Sequence, residues 1–196
     1  MARDQEHAPG TIDWQPGRRT LAIWNGLSLL LLLVGLMGFG LVWAVGNGGG
    51  GFSLEGWALI LGFLFTLLLT FVLMVVHELI HGLVITLFGT TPSYGAMMMG
   101  KLVPVFFCTA PGVTFTRRQF AVIALAPSVV ITLLGVMLMA FVPRGGWLVV
   151  PAAVHLAGCI GDFGMTAIVA RQPAGTIVED LKTGMRFHRP PAGRPG

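Results

Sequence analysis

Residues 75–83 read VVHELIHGL, and the residue types there could do chemistry. His77 and His81 are four apart, so on a helix both imidazoles project from one face and can share a metal ion. Glu78, beside the first histidine, is placed to act as general base toward water at that metal. In a membrane helix each ionisable group costs roughly 2.5–3.5 kcal/mol on insertion scales. Three such groups within five residues need a reason. A zinc site supplies one; a polar cluster that glues helices together or lines a proton path is the competing explanation.

A hydrolytic zinc site usually takes three protein ligands and leaves one position for water. Of eight acidic residues, six (Asp4, Glu6, Asp13, Glu55, Glu179 and Asp180) fall in tails or loops. Only Glu78 and Asp162 lie inside apolar stretches, which makes Asp162 the candidate third ligand, with a structural hydrogen-bonding role as the alternative. Counted at roughly 1.5 Å per residue, His81 and Asp162 both lie roughly 10–12 Å from the same end of their helices. His155, Cys159 and Asp162 recur at i, i+4 and i+7 and share a helix face. With Asp162 toward the metal, Cys159 lies near it and His155 sits about 10 Å further along the helix. His155 is then an alternative ligand, a donor to a ligand, a substrate contact, or a histidine bonded to a neighbouring helix, the last being the favoured reading. Cys159 and Cys108 read as small apolar packing residues, although Cys159 shares His155's standing as a candidate contact to a ligand or substrate.

The elements that must position these residues follow from composition. The chain has 196 residues, 55% hydrophobic and only 10% charged, with a mean hydropathy of +0.82. Soluble domains carry roughly a quarter charged residues, so a soluble enzyme, a nucleic-acid binder and a disordered chain are poor fits. Two cysteines are too few for a disulfide framework. A bilayer core needs roughly 20 apolar residues in a helix, and four stretches qualify: 21–45, 57–88, 119–142 and 147–170. Pro127 and Pro151 should kink or break the last two. Gly62 and Gly82 read as positions of close helix packing. The GNGGGG run at 46–51 reads as a flexible linker.

The fold class expected is an all-α polytopic membrane protein, with a short strand region between the second and third helices. That region, 89–118, is rich in β-branched and aromatic residues punctuated by Gly and Pro, and reads as two or three short strands at the cytoplasmic membrane surface. Met97–Met99 within it reads as membrane-facing padding. Residues 1–20 form a cytoplasmic segment, 21–170 a single membrane domain, and 171–196 a cytoplasmic tail, partly disordered, with RPPAGRPG at its end. Eleven of the twelve basic residues fall on one side of a four-helix layout, Arg144 alone on the other. By the positive-inside rule that side, with both termini, is cytoplasmic. The basic balance is thus a topology signal and gives no support to nucleic-acid binding.

An H-E-x-x-H in a membrane helix, a surface strand region, the helix with Ala-Leu-Ala-Pro127 and a later helix with an aspartate together resemble the site-2 protease class of intramembrane metalloproteases. More closely, the order is similar to the family of small bacterial membrane proteins called putative zincin peptidases, over roughly residues 57 to 190. In that family a Gly-Asp pair in the last membrane helix precedes a short cytoplasmic tail; here the pair is Gly161-Asp162. The resemblance implies His77, His81 and Asp162 as zinc ligands, Glu78 as catalytic base, and a bacterial inner-membrane location. The fourth helix has GCIGDFG, without the Asn-Pro-containing, Leu-Asp-Gly motif of site-2 proteases proper. The leading expectation is a zinc-dependent intramembrane endopeptidase. Its substrate would be a transmembrane or membrane-associated protein, held extended by the 89–118 strands. The alternatives are a non-catalytic, zinc-stabilised scaffold or regulator, and a membrane-embedded peptidase cutting soluble or lipidated peptides. Substrate identity and oligomeric state are not legible.

Overall fold

A computed structural model describes residues 10–49, 55–99, 103–142, 144–181 and 183–190. Among them, four helical stretches are long and apolar enough to cross a membrane. They are α1 (Arg18–Gly46), α2 (Trp57–Leu87), α3 (Arg117–Phe141), and a fourth stretch that opens with the short 3-10 turn Gly145–Leu148 and continues as α4 (Val149–Gly158) and α5 (Ile160–Ala170). In the most apolar window of α2, only 6% of the residues are buried inside the protein. Its outer face, with Leu67, Leu68, Phe71 and Val72 exposed, has the character of a lipid-facing surface.

Neither proline ends a helix. Pro127 lies inside α3 without ending it. Pro151 falls in the first turn of α4, where a missing N–H costs nothing. The break comes at Cys159 instead, which caps α4 and precedes α5. The backbone bonds Cys159 N–H to His155 O (3.1 Å) and Phe163 N–H to Cys159 O (3.0 Å) carry the ladder across it.

Among the described residues six strands join these helices: β1 (Thr11–Trp14), β2 (Ser93–Met99), β3 (Val103–Thr109), β4 (Thr114–Thr116), β5 (Ile177–Leu181) and β6 (Gly184–His188). The 89–118 region yields β2 to β4, with β2 and β3 forming an antiparallel hairpin in which Tyr94 stands opposite Cys108. The N-terminal segment and the tail also form strands, which their composition does not announce. Together with β4 they make a four-stranded antiparallel sheet in the order β1-β6-β5-β4. Of the RPPAGRPG stretch expected to be disordered, residues 191–196 lie outside the described residues, whereas the Arg189 amide donates to the Gly10 carbonyl at 3.0 Å; β5 and β6 pair as an antiparallel hairpin. All six strands attach to the ends where α1 and α3 begin and α2 and α5 finish.

Alternation fixes which face of the four-stranded sheet looks inward. Across it run Ile12, Phe187, Val178 and Phe115 in one row, and Trp14, Met185 and Asp180 in the next. Phe115, Val178, Met185 and Phe187 are buried in a cluster with Ile85 of α2, Phe120 and Ile123 of α3, and Val169 of α5. The opposite face carries a charge ladder in which Arg186 pairs with Asp13 (2.7 Å) and with Glu179 (3.4 Å). A separate cluster of Phe39, Met139, Ala152 and Ala153 closes the other end of the bundle.

Candidate metal centre

His77 and His81 stand one turn apart on α2 and direct their Nε2 atoms to a common point, 2.9 Å from each other. Asp162, in the first turn of α5, reaches the same point: its carboxylate oxygens lie 3.3 Å from His77 Nε2 and 3.7 Å from His81 Nε2. Residues 81 and 162 of the sequence therefore meet across the bundle. The approach of α5 to α1 depends on Gly164, where a Cβ would run into the Trp24 ring. Gly82 makes a similar allowance, but for Tyr94 of β2 and not for a helix.

The back nitrogens of both imidazoles are held. His81 Nδ1–H donates to the carbonyl of Ile123 at 2.8 Å. In an unbroken helix that carbonyl would accept from the amide of residue 127, but Pro127 has no N–H. The proline thus leaves on α3 one free carbonyl, and His81 uses it. His77 Nδ1 meets His155 Nε2 at 3.0 Å. Cys159 Sγ lies 3.9 Å from the same Nδ1 and 3.7 Å from His155 Nε2. The face shared by His155, Cys159 and Asp162 is therefore applied to the ring of His77. His155 is bonded to a neighbouring helix as favoured, and its partner there is the candidate ligand itself.

With Nδ1–H of His81 committed to Ile123, its Nε2 carries a lone pair and no proton. The same holds for His77 when its Nδ1–H donates to His155. In those tautomers two bare nitrogens and a carboxylate converge on one point, an arrangement that a bound cation would satisfy. Donors on one tetrahedral zinc stand roughly 3.3 Å apart, which the spacings of 2.9, 3.3 and 3.7 Å bracket. His77, His81 and Asp162 thus fit a zinc ion by donor type and spacing. His77, His155 and Cys159 also bring ligand atoms together, but one contact in that set is explained by a hydrogen bond.

Glu78 faces a cavity of about 410 Å³ shared with His77, His81, Asp162 and Asp180. Its carboxylate accepts from the backbone amide of Cys108 in β3, so the hairpin edge is tied to the acid. The Cys108 thiol is pushed up to about 12, by burial first and then by the charges of Glu78 and Asp180. It stays protonated and is a packing group, as its setting in the sequence implies. A smaller cavity of about 250 Å³ lies toward α4, where Met74, Phe106, Val154 and His155 meet the other side of His77 and Glu78. Asp180 is the site residue that sequence reasoning passed over: it sits in what reads as a polar tail, and its only signal is the alternation of Val178, Asp180 and buried partners.

The model of the family described as "Putative zincin peptidase" matches residues 70–177, more than half of the chain. The chain belongs to that family. The match takes in α2 from before His77 through to the start of β5, and so includes all three converging donors and Glu78. That description suggests a zinc metallopeptidase at the level of class. No curated protein and no solved structure matches the chain.

Proposed function

We propose that this family member is a zinc-dependent endopeptidase of the site-2-protease kind, cutting membrane-associated substrates near the cytoplasmic face of a bacterial inner membrane. The observation that carries the reading is the convergence of His77 Nε2, His81 Nε2 and the Asp162 carboxylate inside an apolar bundle, with Glu78 on the same cavity. His77, His81 and Asp162 would hold zinc, which when bound polarises a scissile carbonyl and acidifies water. Glu78 takes the proton of the attacking water and returns it to the leaving amine.

A helical substrate keeps its peptide bonds wrapped in its own hydrogen bonds and must unwind to be cut. The amide of Cys108 donates to Glu78 and β3 pairs only with β2 among the described residues, which leaves it an outer edge beside the base. An extended substrate segment pairing there would be held by backbone bonds regardless of its side chains. The cavity toward α4 supplies room for the same segment on the bilayer side. Orientation rests on the basic residues: Arg18, Arg19, Arg117, Arg118, Arg171, Arg186 and Arg189 share the strand end, and Arg144 lies at the other.

The test is zinc content and cleavage measured together in the purified, reconstituted protein. Wild type should hold one zinc per chain and cleave a co-reconstituted transmembrane substrate; Glu78→Gln should keep the zinc and lose the cleavage. Zinc retained by wild type with every such substrate left intact would move the reading to the non-catalytic scaffold.

A further inference from the structure

On the inner face of the four-stranded sheet, Asp180 is the one charged group among Ile12, Trp14, Phe115, Val178, Met185 and Phe187. It is half-buried, and among the described residues nothing gives it a hydrogen bond or an ion pair. A carboxylate in such a setting is costly unless something pairs with it. It lies outside the groups of converging ligand atoms, so it is not placed to hold the zinc. It does line the cavity that contains Glu78. Aromatic side chains form much of the remaining wall, with Trp24, Phe106 and Phe120 among them, and no Lys or Arg lines it among the described residues. The pocket is therefore apolar with an excess of negative charge, and at its strand end the charge belongs to Asp180.

We propose that Asp180 is a cation-binding subsite of this cavity, which pairs with a Lys or Arg side chain flanking the apolar segment of a substrate. This deepens the peptidase reading and rests on it. Membrane segments carry Lys and Arg in excess just beyond their cytoplasmic ends. A segment leaving the bilayer at the strand end of the bundle would bring such a residue to the level of the sheet. Its apolar part would remain against the aromatic wall and the helices. The long aliphatic stem of Lys or Arg suits that wall, and the charged head reaches the carboxylate. An acidic residue in the same place would meet Glu78, Asp162 and Asp180 together. The subsite so selects for charge at the flank and leaves the apolar sequence free.

The experiment uses full-length, zinc-loaded Glu78→Gln protein in nanodiscs, so that binding is read without turnover. The probes are fluorescent, N-acetylated apolar peptides with a single flanking Lys, Gln or Glu. The Lys peptide should bind about tenfold tighter than the Gln peptide, about 1.4 kcal/mol, and the Glu peptide weaker than both. Adding Asp180→Asn should collapse the Lys-to-Gln ratio toward one, and Asp180→Lys should reverse it in favour of Glu, with zinc content unchanged. Reversal is a readout that a merely structural role would not give. Equal binding of the Lys and Gln peptides, no binding of either, or a loss in Asp180→Asn that leaves the ratio intact would each overturn the proposal. A preference that follows a free amino terminus instead of Lys would overturn the side-chain assignment. Failure of the peptidase reading would show separately, as wild-type protein that discriminates the peptides yet cleaves none.

Discussion

The cavity has two walls built by different means. The helix wall, from α2, α3 and α5, carries His77, His81, Asp162 and Glu78; the strand wall, from β1, β3, β5 and β6, carries Trp14, the Cys108 amide and Asp180. On the helix wall the groups are locked to one another by distances near 3 Å. On the strand wall, Asp180 is held only through its backbone, by the pairing of β5 with β6 and β4. The difference suggests a division of labour: a self-bonded wall suits a metal, whereas a carboxylate with no partner among the described residues suits an incoming group. Mutations should then separate metal retention from substrate handling according to the wall they touch.

The largest separation is expected within the helix wall itself. Asp162→Ala should release zinc, read as metal per chain by elemental analysis, and abolish cleavage. Glu78→Gln should hold wild-type zinc and cut turnover by roughly 10²–10⁴, the usual worth of a general base. Should Asp162→Ala keep full zinc, the helix wall is not the metal wall and the comparison fails at its root. The strand wall is tested through its core. Phe187 is 1% exposed beneath the sheet, and Phe187→Ala should cost about 3–5 kcal/mol of stability. Below the lowered melting temperature that variant should still bind zinc; loss of zinc in step with the sheet would show the two walls to be one unit.

The two walls also differ in how far the sequence displays them. Helical periodicity brings His77 and His81 to one face, and His155, Cys159 and Asp162 to another, so each half of the candidate metal set is legible locally. That the halves meet is legible only through matched depth, a weak constraint that the resemblance strengthened. The β2-β3 hairpin and β4 lie between two helices and are visible in composition. β1, β5 and β6 are not. Thr11 pairs with His188 across nearly the whole chain, and no local pattern encodes a partner that distant. The short runs TIDW and GMRFH mix charged and apolar residues, because one face of the sheet carries the Asp13–Arg186–Glu179 ladder. Asp180 therefore looks like one more tail acid until strand alternation turns it inward. Pro127 was legible as a kink, but the carbonyl it frees has meaning only once α2 lies beside α3.

Intermediate effects should come from the groups behind the two histidines. His155→Ala removes the partner of His77 Nδ1 and should weaken zinc binding by roughly 10–100-fold, the usual worth of an outer hydrogen bond to a ligand. Competition with a chelator reads it directly. Pro127→Ala restores an amide to α3 that competes with His81 for the Ile123 carbonyl. It should weaken zinc by a smaller factor while leaving α3 as stable or more so, since proline is unfavourable inside a helix. A loss of zinc affinity with no loss of stability is the signature that separates orientation of His81 from damage to the fold.

The smallest effect sharpens the comparison most, because it concerns one carboxylate and no ligand. Burial first, then the charges of Asp162 and Glu78, push Asp180 up to about 7, whereas an unfolded aspartate titrates near ~3.9. Between those values the folded chain holds a proton that the unfolded chain has released. Stability therefore falls as pH rises through this window, and above about pH 7 the folded protein carries the full cost of the lone charge. Asp180→Asn stays neutral throughout. In metal-free protein, its melting temperature should match wild type near pH 4 and exceed it by a few degrees at pH 8. A gap that does not widen with pH would mean that the inward face of the sheet already satisfies Asp180, and that the strand wall is as self-sufficient as the helix wall.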